Sequence, residues 1–272
     1  MLRDIKLALI GAGQMGGALL SGLIESGKLA PGDIVVSEPR AERSNELKRD
    51  FGVNIAKDNA AAVAESSVIL LAVKPQQIDA ILAEIEESLD DKKILVSIAA
   101  GIDTDYIYKK TKKKNPVLRV MPNSPALIGK GMAVVSPGRY ASKASEKIVQ
   151  ELFSCVGEVV VLDEKYQNQS TAINGSGPAY LYLFVESLID AAVKVGLPRD
   201  VAAKLVIETV VGAALMLKET GKHPALLRDM VTSPGGTTMA ALKAFEEGGL
   251  RGAVFNAVEE AVKRADELGG KN

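Results

Sequence analysis

Gly11-Ala12-Gly13-Gln14-Met15-Gly16 follows an apolar run over residues 5–10 and opens an amphipathic segment over 15–25. Alone, a G-x-G-x-x-G run is weak evidence. Between a strand and a helix it is the fingerprint of a dinucleotide-binding turn. Gly11 permits the tight turn, Gly13 lets a pyrophosphate approach the backbone, and Gly16 lets the helix pack on the strand. Gln14 and Met15 lie in the first helical turn, whose free N–H groups and positive dipole end would hold the phosphates. Two other readings use the same glycines: a plain glycine-rich turn, and the related loop of a methyltransferase. Valine at Gly13 or Gly16 is expected to exclude the cofactor and leave the fold largely intact.

Outward from this turn, apolar runs at 34–36, 68–73, 94–98, 117–120, 132–135 and 159–162 alternate with helical patterns at 41–51, 77–89 and 142–153. Several runs are continuously apolar, as strands covered on both faces tend to be. The pattern gives an α/β class: an N-terminal Rossmann-type, doubly wound, mostly parallel sheet. Strand signals stop after about Asp163, which places one domain at 1–163 and an all-helical one at 164–272. In the second, Gly175-Ser176-Gly177-Pro178 starts a helix to about 195, with Ser176 or Gly177 as cap and Pro178 in the first turn. Gly196 stops that helix, Pro198 opens the next, to about 219, and two more follow near 238–247 and 251–267. Tyr180, Leu181, Leu183, Phe184, Val185, Leu188 and Ile189 are too many for one core stripe. Burial against a second subunit is the natural outlet, which predicts a dimer or higher homo-oligomer.

A chain of 272 residues suits two domains, and 47% hydrophobic with 25% charged residues is ordinary for globular proteins. Formal net charge is −1, giving no reason to expect nucleic acid or an anionic membrane as partner. Lys109, Lys110, Lys112, Lys113 and Lys114 read as the solvated end of a helix. Cys155, the only cysteine, excludes an internal disulfide, fits a reducing compartment and reads as a buried thiol. The start carries no signal-peptide pattern, and the longest apolar stretch, 201–217, is broken by Lys204 and Glu208. A cytoplasmic protein is expected, with no metal site.

The second strand ends at Ser37-Glu38-Pro39-Arg40. An acid there would bind a ribose 2′-hydroxyl (NAD), and an arginine would favour a 2′-phosphate (NADP). Both are present; Ser37 and Arg40 together read as a phosphate clamp, so NADPH is the expected cofactor and NADH the alternative. Ala72-Val73-Lys74-Pro75, Ala99-Ala100-Gly101 and Met121-Pro122-Asn123-Ser124-Pro125 leave the same sheet edge, where such sheets place ligands. Bare strand-to-loop exits would look alike. In Ser233-Pro234-Gly235-Gly236-Thr237-Thr238, three hydroxyls and two adjacent glycines enter a helix, more than a cap with a turn needs. That combination suits a small carboxylate.

Taken together, these segments resemble the pyrroline-5-carboxylate reductase family. The resemblance rests on the Gly11–Gly16 loop, Ala72–Pro75, Arg119–Pro125, Gly175–Tyr180 and the 227–238 loop, in the family's order. It implies a Rossmann domain, a helical dimerisation domain and an active site between them. It also assigns Ser233, Gly235, Gly236 and Thr237 to the substrate carboxylate and Thr238 to the ring nitrogen. The expected reaction is hydride transfer from NAD(P)H to a cyclic imine, yielding proline. Such an imine arrives protonated or takes its proton from solvent, so no strong general acid is required. The single His223, in Lys222-His223-Pro224, reads as a helix-start turn. Lys74 is the other candidate for chemistry, near the cofactor and not as a Schiff base. A related NADP-dependent imine or 3-hydroxy-acid oxidoreductase and a non-catalytic NADP-binding regulator remain as alternatives.

Overall fold

The computed structural model of the protein describes Leu2 and residues 4–269. Strand β1 (Leu7–Ile10) is buried at every position, and its side chains divide by parity. Leu7 and Leu9 join one apolar cluster while Ala8 and Ile10 join another. The same alternation runs through β2 (Ile34–Ser37), β4 (Val68–Leu71) and β5 (Ile94–Ser97), so each face of the sheet has its own core. Each fully buried Leu or Ile contributes about 1.5–3 kcal/mol relative to exposure.

With β3 (Asn54–Ile55), β6 (Val117–Met121), β7 (Gly131–Pro137) and β8 (Gly157–Val161), the strand order is β3-β2-β1-β4-β5-β6-β7-β8. All neighbouring pairs are parallel except β6 with β7. The helices between are α1 (Gln14–Glu25), α2 (Ala41–Phe51), α3 (Asn59–Ala64), α4 (Ile78–Ile85), α5 (Thr104–Thr111) and α6 (Lys143–Phe153). This is the doubly wound α/β class the alternation predicts. Three of these helices carry side-chain caps. Asp58 accepts from the Ala61 amide at 2.7 Å, Asp103 from Tyr106 at 2.7 Å, and Ser142 from Ser145 at 3.1 Å. Of the lysine run, Lys109 and Lys110 are exposed in the last turn of α5, Lys112 caps it in the left-handed conformation, and Lys113 and Lys114 follow beyond it.

The helical half comprises α7 (Gln167–Ser170), a π-helical turn at Thr171–Gly175, α8 (Gly177–Lys194), α9 (Arg199–Thr220), α10 (Pro224–Met230), α11 (Thr237–Glu247) and α12 (Leu250–Leu268). By internal contacts the chain forms two compact units: Gly177–Glu260, and the remainder, in which the end of α12 joins the sheet-bearing part. In the sheet-bearing unit Asn168 donates to Asp266 at 2.7 Å, and the backbone of Leu268 lies 3.1 Å from where a Cβ on Gly101 would sit; the Gly177–Glu260 unit is the second. In the second unit only Ala202 is fully buried. Leu181, Tyr182 and Leu183 on α8 are 57%, 62% and 65% exposed. Among the described residues no helix is long and apolar enough to cross a membrane.

Candidate active site

The glycine loop is held by the two strands that flank β1. Gly11 has φ +85°, and its amide donates to the Ser37 carbonyl at 2.9 Å. A Cβ on it would lie 2.7 Å from both the Ala72 carbonyl and a Val73 methyl. Ala72 and Val73 are thus the wall against which the turn closes. A Cβ on Gly16 would collide with the Gly11 carbonyl and sit 3.3 Å from the Ala72 methyl. Gly13 differs: nothing lies within 4 Å of its Cβ position, and it begins α1 without a side-chain cap. Gly13 and Gln14 are exposed and Met15 is half-buried. The uncapped N–H groups and the open space above Gly13 fit a pyrophosphate.

At the end of β2, Glu38 reaches back to this loop. Its Oε2 accepts the Ala12 amide at 3.1 Å, and its Oε1 accepts Arg40 Nε at 2.7 Å. Burial of this carboxyl works to raise its pKa, but the bonds from Arg40 and from the Ala12 and Arg40 amides outweigh it and leave the pKa lowered. Arg43, from the first turn of α2, donates to the Ala12 carbonyl at 3.3 Å. The Ala12 peptide is therefore gripped from both sides. Ser37 is buried. The sequence offered Glu38 as a possible acid but gave no sign that its carboxylate is spent on the loop, and it gave none of Arg43.

Of the other edge residues, Lys74 is exposed, and its ammonium makes no hydrogen bond or ion pair among the described residues. Its amide donates to Gln77 at 3.4 Å, and Pro75 opens a 3₁₀ turn. Ala99 is buried, Ala100 is half-buried and Gly101 has φ +76°. Asn123 accepts the Met132 amide at 2.8 Å and so fixes its loop to β7. Asn174, within the π-helical turn, donates to the Met121 carbonyl at 2.7 Å and braces the end of β6. A π-helical turn leaves no mark in residue spacing, so that brace is invisible in sequence. Arg119 is buried with a lowered pKa caused by desolvation, and it donates to Asn168 at 3.0 Å.

In the second unit, Ser233-Pro234-Gly235-Gly236 forms a turn closed by the Gly236 amide on the Ser233 carbonyl at 3.0 Å. Proline at the second position and Gly235 at φ +66° at the third are what a type II turn demands. Gly236 begins α11 with no side-chain cap, and a Cβ on it would meet the Ser233 hydroxyl. The hydroxyls of Ser233, Thr237 and Thr238 make no hydrogen bond to the described residues. Three hydroxyls and an uncapped helix start thus gather at one turn, as an anion site requires. His223 caps α10, its Nδ1 accepting the Ala225 amide at 3.2 Å, as the helix-start reading predicts. No cluster of metal-ligating side chains occurs among the described residues.

A glycine loop on a doubly wound sheet, followed by a helical half bearing an anion-type turn, defines a nicotinamide-type two-domain oxidoreductase in architecture. Residues 6–101 match a family model described as NADP oxidoreductase, coenzyme F420-dependent, and residues 164–268 match pyrroline-5-carboxylate reductase dimerisation. The chain is 44% identical over 266 residues to a pyrroline-5-carboxylate reductase of Corynebacterium melassecola, covering 97% of this chain and 98% of the relative. A solved pyrroline-5-carboxylate reductase of Coxiella burnetii is 34% identical, with a TM-score of 0.93 over 98% of this chain and 99% of the other. One from Plasmodium falciparum, with NADP bound, is 33% identical, with a TM-score of 0.88 over 98% of each. This chain belongs to the pyrroline-5-carboxylate reductase family.

Proposed function

We propose that this protein reduces pyrroline-5-carboxylate to proline with NADPH or NADH, and that it works as a homodimer or larger homo-oligomer in the cytoplasm. The observation that carries the substrate assignment is the Ser233–Thr238 turn, with free hydroxyls beside an uncapped helix start. Gly13, Gln14, Met15 and the start of α1 would hold the pyrophosphate, with Gly11 and Gly16 shaping the turn. Ser37 and Arg40 lie at the adenosine-ribose end, and Ala72–Pro75, Ala99, Ala100 and Asn123 line the edge along which the cofactor extends.

When bound, the reduced nicotinamide supplies a hydride to the carbon of the C=N bond. The chain positions the acceptor. Ser233, Gly235, Gly236 and Thr237 hold the carboxylate, so the ring can turn only about that anchor. The ring nitrogen is two bonds from the carboxylate carbon, within reach of the neighbouring Thr238 hydroxyl. Thr238 accepts a hydrogen bond from the iminium N–H and fixes the ring face, and the nitrogen keeps its proton as the amine forms. Most of the acceleration is positioning. The exposed Lys74 ammonium is assigned to the cofactor side, where a cation without a protein partner can meet a phosphate.

The test compares cofactor turnover with pyrroline-5-carboxylate, pyrroline-2-carboxylate and 3-hydroxy acids. Preference for the first by orders of magnitude is expected. Preference for a 3-hydroxy acid would overturn the assignment in favour of a related dehydrogenase, and binding without turnover of any would favour a regulator.

A further inference from the structure

Glu38 and Arg40 are adjacent to the glycine loop and differ sharply in freedom. The Glu38 side chain is 4% exposed and that of Arg40 is 65% exposed. Glu38 is fixed at both ends. Its carbonyl accepts the Ser44 hydroxyl at 2.9 Å, and its Oε2 accepts the Ala12 amide at 3.1 Å. Arg40 adds three further donors: its amide at 3.2 Å and Nε at 2.7 Å to Oε1, and Nη2 at 3.3 Å to Oε2. A carboxylate offers about four lone-pair sites, and here four donors fill them. Two of those donors sit on a side chain that projects into solvent.

An acid at this strand end accepts from a ribose 2′-hydroxyl, and a cation there favours a 2′-phosphate. Glu38 as it stands has no acceptor site left for a hydroxyl. Arg40, with five N–H donors and two committed, still has three to give. We propose that Glu38 and Arg40 form an exchangeable clasp that sets cofactor choice. Closed, Arg40 masks the Glu38 carboxylate and presents its outer N–H groups to the 2′-phosphate of NADPH. Open, with Arg40 swung into solvent, Glu38 becomes the acceptor for the 2′-hydroxyl of NADH. The clasp rests on reading the β2 end as the ribose-binding edge, and it makes Glu38 a specificity-determining residue.

The test is direct binding of NADPH and NADH, by calorimetry and cofactor fluorescence, to the full-length wild type, Arg40→Ala and the double variant Arg40→Ala/Glu38→Gln, with circular dichroism to check folding. In Arg40→Ala, NADPH should weaken about ten- to a hundredfold, since a charge-assisted bond is lost and a bare carboxylate faces the phosphate. NADH should hold or tighten, because its acceptor is unmasked. Adding Glu38→Gln to that background should then move the two cofactors in opposite directions, NADPH tighter and NADH weaker. A merely structural Glu38, holding only the Ala12 amide, would weaken both together, and that result would overturn the clasp. Selective NADPH loss in Arg40→Ala with no further change in the double variant would also overturn it, leaving Arg40 at the phosphate. Unchanged NADPH affinity in Arg40→Ala would remove the ribose-edge reading and the clasp with it.

Discussion

Gly13 and Gly16 belong to one motif, yet a side chain would meet quite different surroundings at each. At Gly13 nothing lies within 4 Å, so Gly13→Val should fold with unchanged stability and lose NADPH binding in calorimetric titration. At Gly16 the new Cβ would strike the Gly11 carbonyl. Gly16→Val should therefore lower the unfolding midpoint as well, contrary to the expectation from sequence that both would spare the fold. The shaping of the turn by Gly11 and Gly16 was legible because a close backbone approach leaves only glycine as a solution. The Glu38 carboxylate was not, because its bond to Ala12 spans 26 positions and depends on a side-chain rotamer. Thr238 was legible as a hydroxyl entering a helix. Thr238→Ala should reduce kcat/KM for pyrroline-5-carboxylate about ten- to a hundredfold, the equivalent of roughly 1.5–3 kcal/mol for a bond to a charged group. NADPH affinity should stay unchanged and Thr238→Ser should restore most of the rate. Burial pushes the Cys155 thiol up to about 11, so the thiolate is scarce at neutral pH. Native protein should resist alkylation there and react once unfolded in urea.

Among the elements, those with long apolar or amphipathic periods declared themselves and the short ones did not. β3 has two residues and α3 six, too few for a period to register. The expected helix over 77–89 is regular only at Ile78–Ile85, flanked by 3₁₀ turns on both sides. The first of these begins at Pro75, which lacks the N–H of a continuing helix. The Ser233–Gly236 turn was readable as a glycine loop but not as a type II turn, since its Gly235 φ of +66° is a property of the fold. Gly235→Ala meets no atom within 4 Å, so its cost is backbone strain alone, about 1–2 kcal/mol in urea unfolding. If the turn presents its amides to the substrate carboxylate, the same variant should raise KM for pyrroline-5-carboxylate and leave NADPH binding unaltered.

Across the whole molecule the contrast lies between two kinds of apolar surface. The sheet-bearing unit buries its strands between two clusters, whereas the Gly177–Glu260 unit exposes much of its apolar content, Val195 at 81% and Phe255 at 68% included. Exposed apolar area of this extent marks an association surface, and the excess of apolar residues on α8 had already pointed there. Leu183→Asp, at a position 65% exposed here, should leave the helices folded by circular dichroism and shift sedimentation toward monomer. An unchanged sedimentation coefficient would exclude that face of α8 from the interface. The chemistry of the protein is tested most directly by isotope transfer. NADPH deuterated at the transferable C4 position is incubated with pyrroline-5-carboxylate, and the proline formed is analysed by mass spectrometry and NMR. A single deuterium at the δ carbon, the former C=N carbon remote from the carboxylate, is the expected result. Unlabelled proline, or no proline while NADPH is consumed, would contradict hydride transfer to a carboxylate-anchored cyclic imine.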